Sequence, residues 1–556
     1  MSFYEDASLV MIPSGYKSGK IYSQKPLSTD GQLTFTRASD ATRVASNGLI
    51  EKVRTNLFTY SEQLDNAAWT KNVTTITANA IVAPDGTTTA DKMADSDTTT
   101  AARYTFQSPA SSGTIYTSSG YFKKGEYNFV TLHAFGLNGA VFNLDTGVKV
   151  SQSGGVGSIV SVGNGWYRCS FAFTAGGSSV FFSQSPAGNI SYAGTTGSGI
   201  YAWGLQVETG DIATDYIPTT TTAVSVGPVA NIPRLDYYDS TCPKLLLEPQ
   251  RTNLVLFSEQ LNAASWSAST TTVTANAEIS PDGYQNADVL AMSASQSRVS
   301  QVLSLGAGTY SVSVYAKAIS GSGTARILVI IDGVSTDFNF TPTTSWARYS
   351  FTFTAATSVT AVQMRAQTFI GNLSFWGCQL ELGACATSYI PTLATSQTRV
   401  ADAALKTGIT SLIGQTEGTL FVDAEVTNFA EAAQSFITIS DGTITNRVEL
   451  RKGSPNTIIL EGSAATGSFP NITLSSVAVG RYKIAVAYKT GSTALFINGT
   501  QIGSTSANAF AFTSLTNVII GANFSGSTRF LNDRISQALV FKTRLTNDQL
   551  AELTSL

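Results

Sequence analysis

The segment Arg54-Thr55-Asn56-Leu57 recurs further along the chain as Arg251-Thr252-Asn253-Leu254, and each copy opens one unit of an internal repeat. The offset between the copies stays constant through four further matched segments: Ser61-Glu62-Gln63-Leu64 with Ser258-Glu259-Gln260-Leu261, Trp69 with Trp266, Thr77-Ala78-Asn79-Ala80 with Thr274-Ala275-Asn276-Ala277, and Pro84-Asp85-Gly86 with Pro281-Asp282-Gly283. Self-similarity at a fixed offset marks repeated structural units. The sequence therefore predicts two related modules.

The two copies also end alike. Their matched closing segments are Tyr201-Ala202-Trp203-Gly204-Leu205-Gln206-Val207-Glu208 with Phe375-Trp376-Gly377-Cys378-Gln379-Leu380-Glu381, and Tyr216-Ile217-Pro218-Thr219 with Tyr389-Ile390-Pro391-Thr392. The second copy is shorter in the middle, where surface loops tolerate changes of length. We assign module 1 to residues 54–219 and module 2 to residues 251–393, each the size of one sandwich domain.

Inside both copies, apolar and polar residues alternate. Tyr167, Cys169, Phe171 and Phe173 alternate with polar or small neighbours, and Tyr349-Ser350-Phe351-Thr352-Phe353 repeats the pattern. A period of two is typical of antiparallel sheets with one buried face. Long helical stripes are absent, and only residues 61–68, their second copy and the extreme C-terminus indicate a helical turn or two. We predict an all-β chain of tandem antiparallel β-sandwiches, with jelly-roll modules.

The composition supports this fold class and limits the classes of partner that the chain could bind. Apolar residues make up 43% of the chain and charged residues 13%, with 47 Gly and 10% aromatics. The net charge is −3, with no basic run to bind nucleic acid. No apolar stretch approaches the roughly 20 residues of a membrane helix. The four Cys are spaced neither as a zinc site nor as a disulfide framework, and Cys169 and Cys378 are predicted to be buried.

Three regions flank or separate the modules. Residues 1–53 are predicted to form an N-terminal segment, too short and polar to build much of a core alone. Residues 220–250 contain Pro228, Pro233, Pro243 and Pro249, and we interpret them as a linker. Residues 394–556 are predicted to form a third domain, in which Asn498-Gly499 marks a hairpin and Thr546 caps a short helix.

The third domain resembles the concanavalin A-like or laminin-G-like lectin sandwich. The pieces that carry this resemblance are Gly418-Thr419-Leu420-Phe421, the Asn498-Gly499 hairpin, Arg534-Ile535-Ser536-Gln537-Ala538, and Leu545-Thr546-Asn547-Asp548. They indicate the fold and do not identify a ligand. The calcium sites of that family need a cluster of carboxylates, and no such cluster matches here residue by residue.

The two modules resemble carbohydrate-binding-module-like jelly rolls of bacteriophage structural proteins. The opening segments Phe35-Thr36-Arg37-Ala38-Ser39 and Thr42-Arg43-Val44 are similar to the start of modular phage virion proteins. The N-terminus, Met1-Ser2-Phe3-Tyr4-Glu5-Asp6, carries acids where a signal peptide carries Lys or Arg. A phage particle assembles in the host cytoplasm and leaves by lysis, so the expected location is the virion.

The resemblance implies a fibre, spike or decoration protein. The expected partners are other virion proteins, docked through residues 1–53, and host-surface glycans. We expect a homo-oligomer, with a trimer inferred from the fibre role, because multivalency strengthens weak sugar binding. Neither nucleic acid nor a membrane is an expected partner, and no cofactor or metal is predicted.

Trp166 with Arg168, and Trp346 with Arg348, are the candidate glycan-binding residues. In both copies they have the parity opposite to the apolar run that follows, so they line the outer face if that run is buried. A Trp ring can stack on a sugar while Arg donates to hydroxyls. The alternative is structural, in which each Trp covers a sheet edge and its Arg stacks on it.

Trp69 and Trp266 are predicted to anchor the two cores, and Trp203 and Trp376 are assigned to the core by parity. Catalysis has little support, because the single His, His133, argues against Ser-His-Asp catalysis and against metal chemistry that needs several His ligands. Glu208 and Glu381 stand at equivalent strand ends, which favours a structural role over glycoside hydrolysis. We predict a non-enzymatic display protein; the alternatives are a purely architectural protein and a polysaccharide depolymerase.

Overall fold

The computed structural model describes residues 3–134 and 138–556, so Met1 and Ser2 of the acidic N-terminus lie outside the described residues. The chain is nearly all β, which confirms the predicted fold class. It forms two compact units. One is Val53–Gly227, which contains module 1; the other joins the residues up to Lys52 with Pro228–Leu556 and contains module 2 and the third domain.

Module 1 is a sandwich of two six-stranded antiparallel sheets. The first sheet has, in spatial order, the strands Gly155–Gly163, Trp166–Thr174, Ile115–Lys124, Gly199–Thr209, Ala90–Asp95 and Thr74–Ile81. The second has Val148–Ser153, Gly139–Asn143, Phe129–Ala134, Val180–Ser185, Tyr104–Gln107 and Thr70–Asn72. Thr100–Ala102 pairs with Ser191–Ala193. Cys169, Phe171 and Trp69 are buried in the core between the sheets, as predicted.

Module 2 repeats this plan with two five-stranded antiparallel sheets. One has the strands Thr271–Ile279, Gln285–Met292, Ile370–Leu382, Gly308–Ser322 and Ala347–Ala355. The other has Trp266–Ser269, Arg298–Leu305, Val359–Ala366, Ala325–Ile331 and Val334–Phe340. Trp266 and Cys378 are buried in its core, as predicted.

The repeated Arg-Thr-Asn segment closes each module at its base. Arg54–Asn56 pairs with Val224–Val226, and Arg251–Asn253 pairs with Gln397–Arg399. The amide of Asn56 donates to the carbonyl oxygens of Leu205 and Ile217 at 3.1 and 2.9 Å. Buried polar groups must find such partners, and this requirement explains why the segment is preserved in both copies.

Asn253 makes the same bonds in module 2. Its amide donates to the carbonyl oxygens of Cys378 and Ile390 at 3.1 and 2.8 Å. Its side-chain oxygen accepts from the amides of Val255 and Leu380, both at 3.1 Å. The two modules are therefore closed by the same set of hydrogen bonds, called the asparagine clamp below, which Asn56 makes in module 1 and Asn253 in module 2.

The third domain is a larger sandwich of an eight-stranded and a nine-stranded antiparallel sheet. The eight-stranded sheet has Arg234–Asp236, Lys244–Leu247, Asp533–Phe541, Glu417–Val426, Gly480–Lys489, Thr493–Ile497 and Thr500–Ser506, with Leu9–Met11 also paired to Asp533–Phe541. The nine-stranded sheet has Tyr16–Lys17, Lys20–Tyr22, Gln32–Thr36, Ala403–Lys406, Asn517–Ile520, Gln434–Ser440, Arg447–Gly453, Thr457–Ser463 and Ile472–Leu474. Two short pairs join Thr466–Gly467 to Phe510–Ala511 and Arg43–Val44 to Ile50–Glu51.

The structure corrects the predicted segmentation at residues 3–52 and 228–250. Both segments supply strands to the third domain, and Leu9, Leu33, Leu245 and Leu247 are buried in its core. The strands are two to five residues long and are separated by proline-containing loops, so apart from Gln32–Thr36 they are too short to show a clear period in the sequence. Modules 1 and 2 are thus insertions into the chain of one sandwich, and the N-terminal segment is not a free arm.

Buried charges join the three discontinuous segments of this sandwich. Asp402 accepts from Arg37 at 3.1 Å and also from Arg234. Glu248 accepts from Arg234 at 2.5 Å and from Arg399 at 2.8 Å. All five side chains are at most 3% exposed. Because a buried charge without its partner is costly, this network requires all three segments to be in place.

The predictions for short local elements agree better with the structure than the predicted domain boundaries do. The Asn498-Gly499 hairpin is confirmed, with positive φ at both residues. The C-terminal helix Asn547–Thr554 is confirmed too, with Thr546 in a capping box. The helical turn expected at residues 61–68 is wrong; these residues form turns. The remaining helical elements among the described residues are Phe3–Asp6 and the 3-10 turns Thr29–Gly31 and Thr410–Leu412.

Candidate ligand-binding faces

The structure gives Trp166 and Arg168 internal partners. Trp166 is 2% exposed and lies in a buried cluster with Ala83, Ala90 and Trp203, separate from the main core. Arg168 donates to the carbonyl oxygen of Thr214, and its guanidinium lies 5.5 Å from the ring centre of Tyr121. The predicted parity therefore places both side chains on the outer face, where neighbouring residues cover the indole ring.

Trp346 and Arg348 occupy the equivalent place in module 2. The indole of Trp346 donates to the carbonyl oxygen of Ile279 at 2.8 Å. Arg348 donates to the carbonyl oxygen of Thr387 at 2.7 Å and lies 5.4 Å from the ring centre of Tyr315. These contacts correspond to the structural alternative left open by the sequence, while glycan binding by the four residues stays a prediction.

The prediction that Trp203 and Trp376 lie in the main cores is wrong, because a β-bulge turns both side chains to the outer face. Ala202 and Leu205 both face the main core of module 1, so the parity of the strand changes between them. Gly204 lies at this point with φ of 60°, and Gly377 in module 2 has φ of 65°. A bulge inserts one extra residue into a strand and turns the next side chain to the other face. Both indoles are therefore buried in outer clusters with Tyr216 or Tyr389.

The two equivalent glutamates hold loops in place. Glu208 accepts from the backbone amide of Thr214 at 2.8 Å and from its hydroxyl. Burial raises the pKa of Glu208 above its ordinary value. Glu381 accepts from both groups of Thr387 at 2.7 Å. Each carboxylate lies within a closed set of internal bonds, which fits the structural role favoured by its repetition.

Module 1 carries an aromatic surface on the outer side of its second sheet. Phe106 and Phe181 lie side by side with ring centres 4.9 Å apart, and Tyr104 approaches Phe181 at 5.1 Å. His133 stacks on Phe181 with ring centres 4.8 Å apart. The strands Tyr104–Gln107, Val180–Ser185 and Phe129–Ala134 present these rings because Phe182 and Leu132, one position away, point into the core.

Polar groups lie beside these rings. His133 Nε2 is 2.8 Å from the hydroxyl of Ser183. The hydroxyl of Thr131 is buried, and within the described part of the chain it has no hydrogen-bond partner. Burial lowers the pKa of His133 to about 4, so the imidazole is neutral at pH 7. Tyr104, Phe106, Thr131, His133, Phe181 and Ser183 are called the aromatic face below.

Module 2 differs at the corresponding sheet. Arg298 lies opposite Arg365, which lies opposite Arg326 on the next strand. Arg326 pairs with Asp337. Burial, followed by the charges of Arg326 and Arg298, lowers the pKa of Arg365. Within the described residues, Nε of Arg326 and of Arg365 and the side-chain oxygen of Gln363 are buried without hydrogen-bond partners. Arg298, Arg326, Gln363 and Arg365 are called the arginine face.

Sequence reasoning missed both faces. A signal was present, because Tyr104-Thr105-Phe106 and Arg326-Ile327 alternate around buried positions, but each strand alone does not reveal which residues its neighbours present. Among the described residues, no group of three or more His, Cys, Asp or Glu side chains could hold a metal ion. Of the helices that the structure describes, none is long and apolar enough to cross a membrane.

Residues 395–551 match the sequence profile Laminin_G_3, described as the concanavalin A-like lectin/glucanases superfamily. This match confirms the predicted class of the third domain. The profile begins after module 2, so the strands that the structure adds from residues 9–36 and 234–247 lie outside it. No curated protein matches the sequence.

Several solved structures are similar to parts of the chain. The Ruminococcus gnavus IT-sialidase CBM40 bound to alpha2,3 sialyllactose has 20% identity and a TM-score of 0.24, over 27% of this chain and 91% of that chain. Domain 4 of the Geobacillus stearothermophilus arabinanase AbnA, in complex with arabinotriose, has 12% identity and a TM-score of 0.24, over 31% and 82%.

The tandem CBM22-1-CBM22-2 domain of Paenibacillus barcinonensis Xyn10C has 12% identity and a TM-score of 0.21, over 59% of this chain and 98% of that chain. These identities and TM-scores are too low to transfer a ligand or a site.

Proposed function

We propose that this chain is a structural component of a bacteriophage particle that displays β-sandwich modules and binds carbohydrate on the host surface. The aromatic face of module 1 is the observation that carries the carbohydrate part. The rings of Tyr104, Phe106 and Phe181 are half-buried, so part of each remains accessible, while His133 and Ser183 lie buried beside them. Apolar surfaces with a few polar groups are typical of ligand sites, and aromatic rings suit the C–H faces of sugars.

The virion part of the proposal is supported by the resemblance of the opening segments to modular phage proteins. Docking to other virion proteins would use the surface of the third domain, since the residues up to Lys52 belong to its compact unit. A homo-trimer would present three copies of each module, and mass measurement of the purified chain in solution tests that number. Immunogold labelling of purified particles tests the location; particles without label would refute a virion role.

A glycan array with the full chain tests carbohydrate binding. Phe181→Ala removes the ring that touches Phe106, Tyr104 and His133, and we expect it to weaken binding about tenfold, the loss expected for about 1.4 kcal/mol. Val160→Ala, at an exposed position of the other sheet of module 1, is the matched control. Equal binding by the two variants would remove the aromatic face from the proposal.

An architectural role is the second candidate function. The observation in its favour is that Trp166, Arg168 and Arg348 all have internal partners. A chain that labels particles but binds no glycan on the array would support this role and refute the attachment function. Release of sugar from host polysaccharide by the purified chain would instead indicate a depolymerase.

A further inference from the structure

Lys52 fills an acidic site on module 2. Its ammonium group lies 2.7 Å from a carboxylate oxygen of Glu259 and 2.6 Å from one of Asp282. It also lies 5.2 Å from the ring centre of Trp376. Burial opposes the charge on Lys52, but the carboxylates of Glu259 and Asp282 outweigh it and hold its pKa above the ordinary value. The site is therefore built for a primary ammonium group.

The segment that carries Lys52 is extended and partly apolar. Ile50 lies in the strand Ile50–Glu51, and its backbone amide donates to the carbonyl oxygen of Pro281 at 2.9 Å. The Ile50 side chain is buried against Trp376 and Tyr389. Lysine two positions after an apolar residue is thus the occupant that module 2 accepts.

Module 1 has the same site residues at matched positions. Glu62 corresponds to Glu259, Asp85 to Asp282, and Tyr216 to Tyr389 in the repeat. The hydroxyl of Tyr216 donates to Glu62 at 3.1 Å, as that of Tyr389 donates to Glu259 at 3.0 Å. Trp203 corresponds to Trp376. The ring centres of Trp203 and Tyr216 are 4.9 Å apart, and those of Trp376 and Tyr389 in module 2 are 4.6 Å apart.

At the equivalent place in module 1, the described residues supply no counterpart of Lys52. A pocket of ≈ 210 Å³ adjoins this place: it is lined by Glu62, Ala78, Thr89 and Asp91 among others, whereas Asp85, Tyr216 and Trp203 are not among its lining residues. Beside the pocket, the ammonium of Lys71 donates to the backbone carbonyl oxygens of Asp65 and Asn66. No described Lys or Arg nitrogen pairs with the carboxylate of Glu62 or Asp85 as Lys52 pairs in module 2.

We propose that the acidic site of module 1, formed by Glu62, Asp85 and Trp203, binds a lysine side chain presented by an extended segment of a partner polypeptide. The inference rests on the occupied copy, in which the matched carboxylates and tryptophan hold the ammonium group of Lys52. Lysine is favoured over an amino sugar because the observed occupant adds an apolar side chain and a backbone hydrogen bond to its charge. The proposal is independent of carbohydrate binding at the aromatic face.

The electrostatics of the acidic site support this. Burial, with the charge of Asp85, raises the pKa of Glu62. A cation bound beside Glu62 and Asp85 offsets the penalty at Glu62, as Lys52 does beside Glu259 and Asp282 in the second copy.

The test uses the full chain and the peptide acetyl-Leu-Ile-Glu-Lys-amide, which copies residues 49–52. We expect calorimetry or NMR titration to show saturable binding, and the same peptide acetylated on its lysine nitrogen to bind at least tenfold more weakly. Glu62→Gln keeps an acceptor for Tyr216 and should also weaken binding about tenfold, the effect of losing about 1.4 kcal/mol. Asp145→Asn, an exposed acid of the same module, should leave binding unchanged.

A second variant guards against a folding defect. Ala78→Lys places a tethered ammonium at the pocket wall and should block the peptide while the module stays folded. Equal binding by the acetylated peptide, or by Glu62→Gln, would overturn the proposal. Butylamine or glucosamine binding as tightly as the peptide would overturn the polypeptide source, and a response to calcium chloride alone would replace the ammonium with a metal ion.

Discussion

Modules 1 and 2 share a repeat but differ on their outer surfaces. Both close with the same buried asparagine, and both bury a tryptophan from the matched opening block. Their outer sheets differ, since module 1 presents aromatic rings and module 2 presents three arginines. Their acidic sites differ as well, because only module 2 is filled by Lys52. The two copies thus share the residues that close and fill each module and differ in the residues at their surfaces.

The largest expected effect concerns the filled site. Lys52→Met leaves Glu259 and Asp282 buried without their counter-charge, and breaking a buried pair from one side costs about 3–5 kcal/mol. We expect hydrogen exchange in module 2 to accelerate accordingly. Lys124→Met, at an exposed pair of module 1, is the control. Unchanged protection in the Lys52 variant would mean that the filled site contributes no stability.

The clamps provide a test of what the modules share. Asn56→Ala and Asn253→Ala each leave buried amide and carbonyl groups unpaired, and unsatisfied groups of this kind cost about 1–3 kcal/mol each. We expect the two substitutions to destabilise their own modules by similar amounts, measured by hydrogen exchange. Thr55→Ala and Thr252→Ala, at the neighbouring positions, should cost far less. A large difference between the two asparagines would contradict a common clamp.

The arginine face of module 2 should prefer ligands that carry negative charge. We expect Arg365→Gln to weaken binding of acidic oligosaccharides about tenfold, equivalent to about 1.4 kcal/mol, and to leave neutral ones unaffected. Relief of repulsion from Arg298 and Arg326 should keep this variant as stable as the parent. Binding that depends on exposed charge falls with added salt, so a titration at rising ionic strength checks the result. If binding of acidic oligosaccharides changed neither in Arg365→Gln nor with added salt, the arginine face would bind no anion.

The smallest expected effect is a titration. His133 is the single histidine, so it contributes one imidazole signal to the NMR spectrum. Its pKa, lowered by burial to about 4, lies below the unfolded value of about 6.5. The unfolded chain therefore binds the proton first, and the stability supplied by neutral His133 is lost as pH falls from 6.5 towards 4. A midpoint near 6.5 would mean that the aromatic face is open to water at His133.

The same signal sharpens the comparison between the faces. A sugar that binds the aromatic face should shift the His133 resonance, because the imidazole stacks on Phe181. A ligand held by the arginine face should leave it unchanged. A shift produced equally by Phe181→Ala chains would show that the ligand binds elsewhere.

Local patterns were sufficient for much of the fold. The repeat, the alternation around Phe171, the Asn498-Gly499 hairpin and the Thr546 cap were all predictable, because each depends on residues close together in the chain. The class of the third domain was predictable for the same reason, since its long strands fall within residues 395–551.

The candidate sites were less accessible to sequence reasoning. Trp166 and Arg168 have the parity that the pattern indicates, but parity names a face and does not say what covers it. The bulge at Gly204 reverses the parity of Trp203, and a glycine in a strand does not reveal its φ. The aromatic face combines residues from three strands, so no single segment displays it.

By itself, the sequence determined that this protein is built from antiparallel β-sandwiches and that two of them are copies of one module. Only the tertiary structure decided that both modules interrupt a third sandwich, and that Lys52 belongs to the site of the second copy. The physical reason is the range of the interactions. Side-chain alternation, turn conformation and capping act between neighbours in the chain, whereas strand pairing and ion pairing join residues hundreds of positions apart.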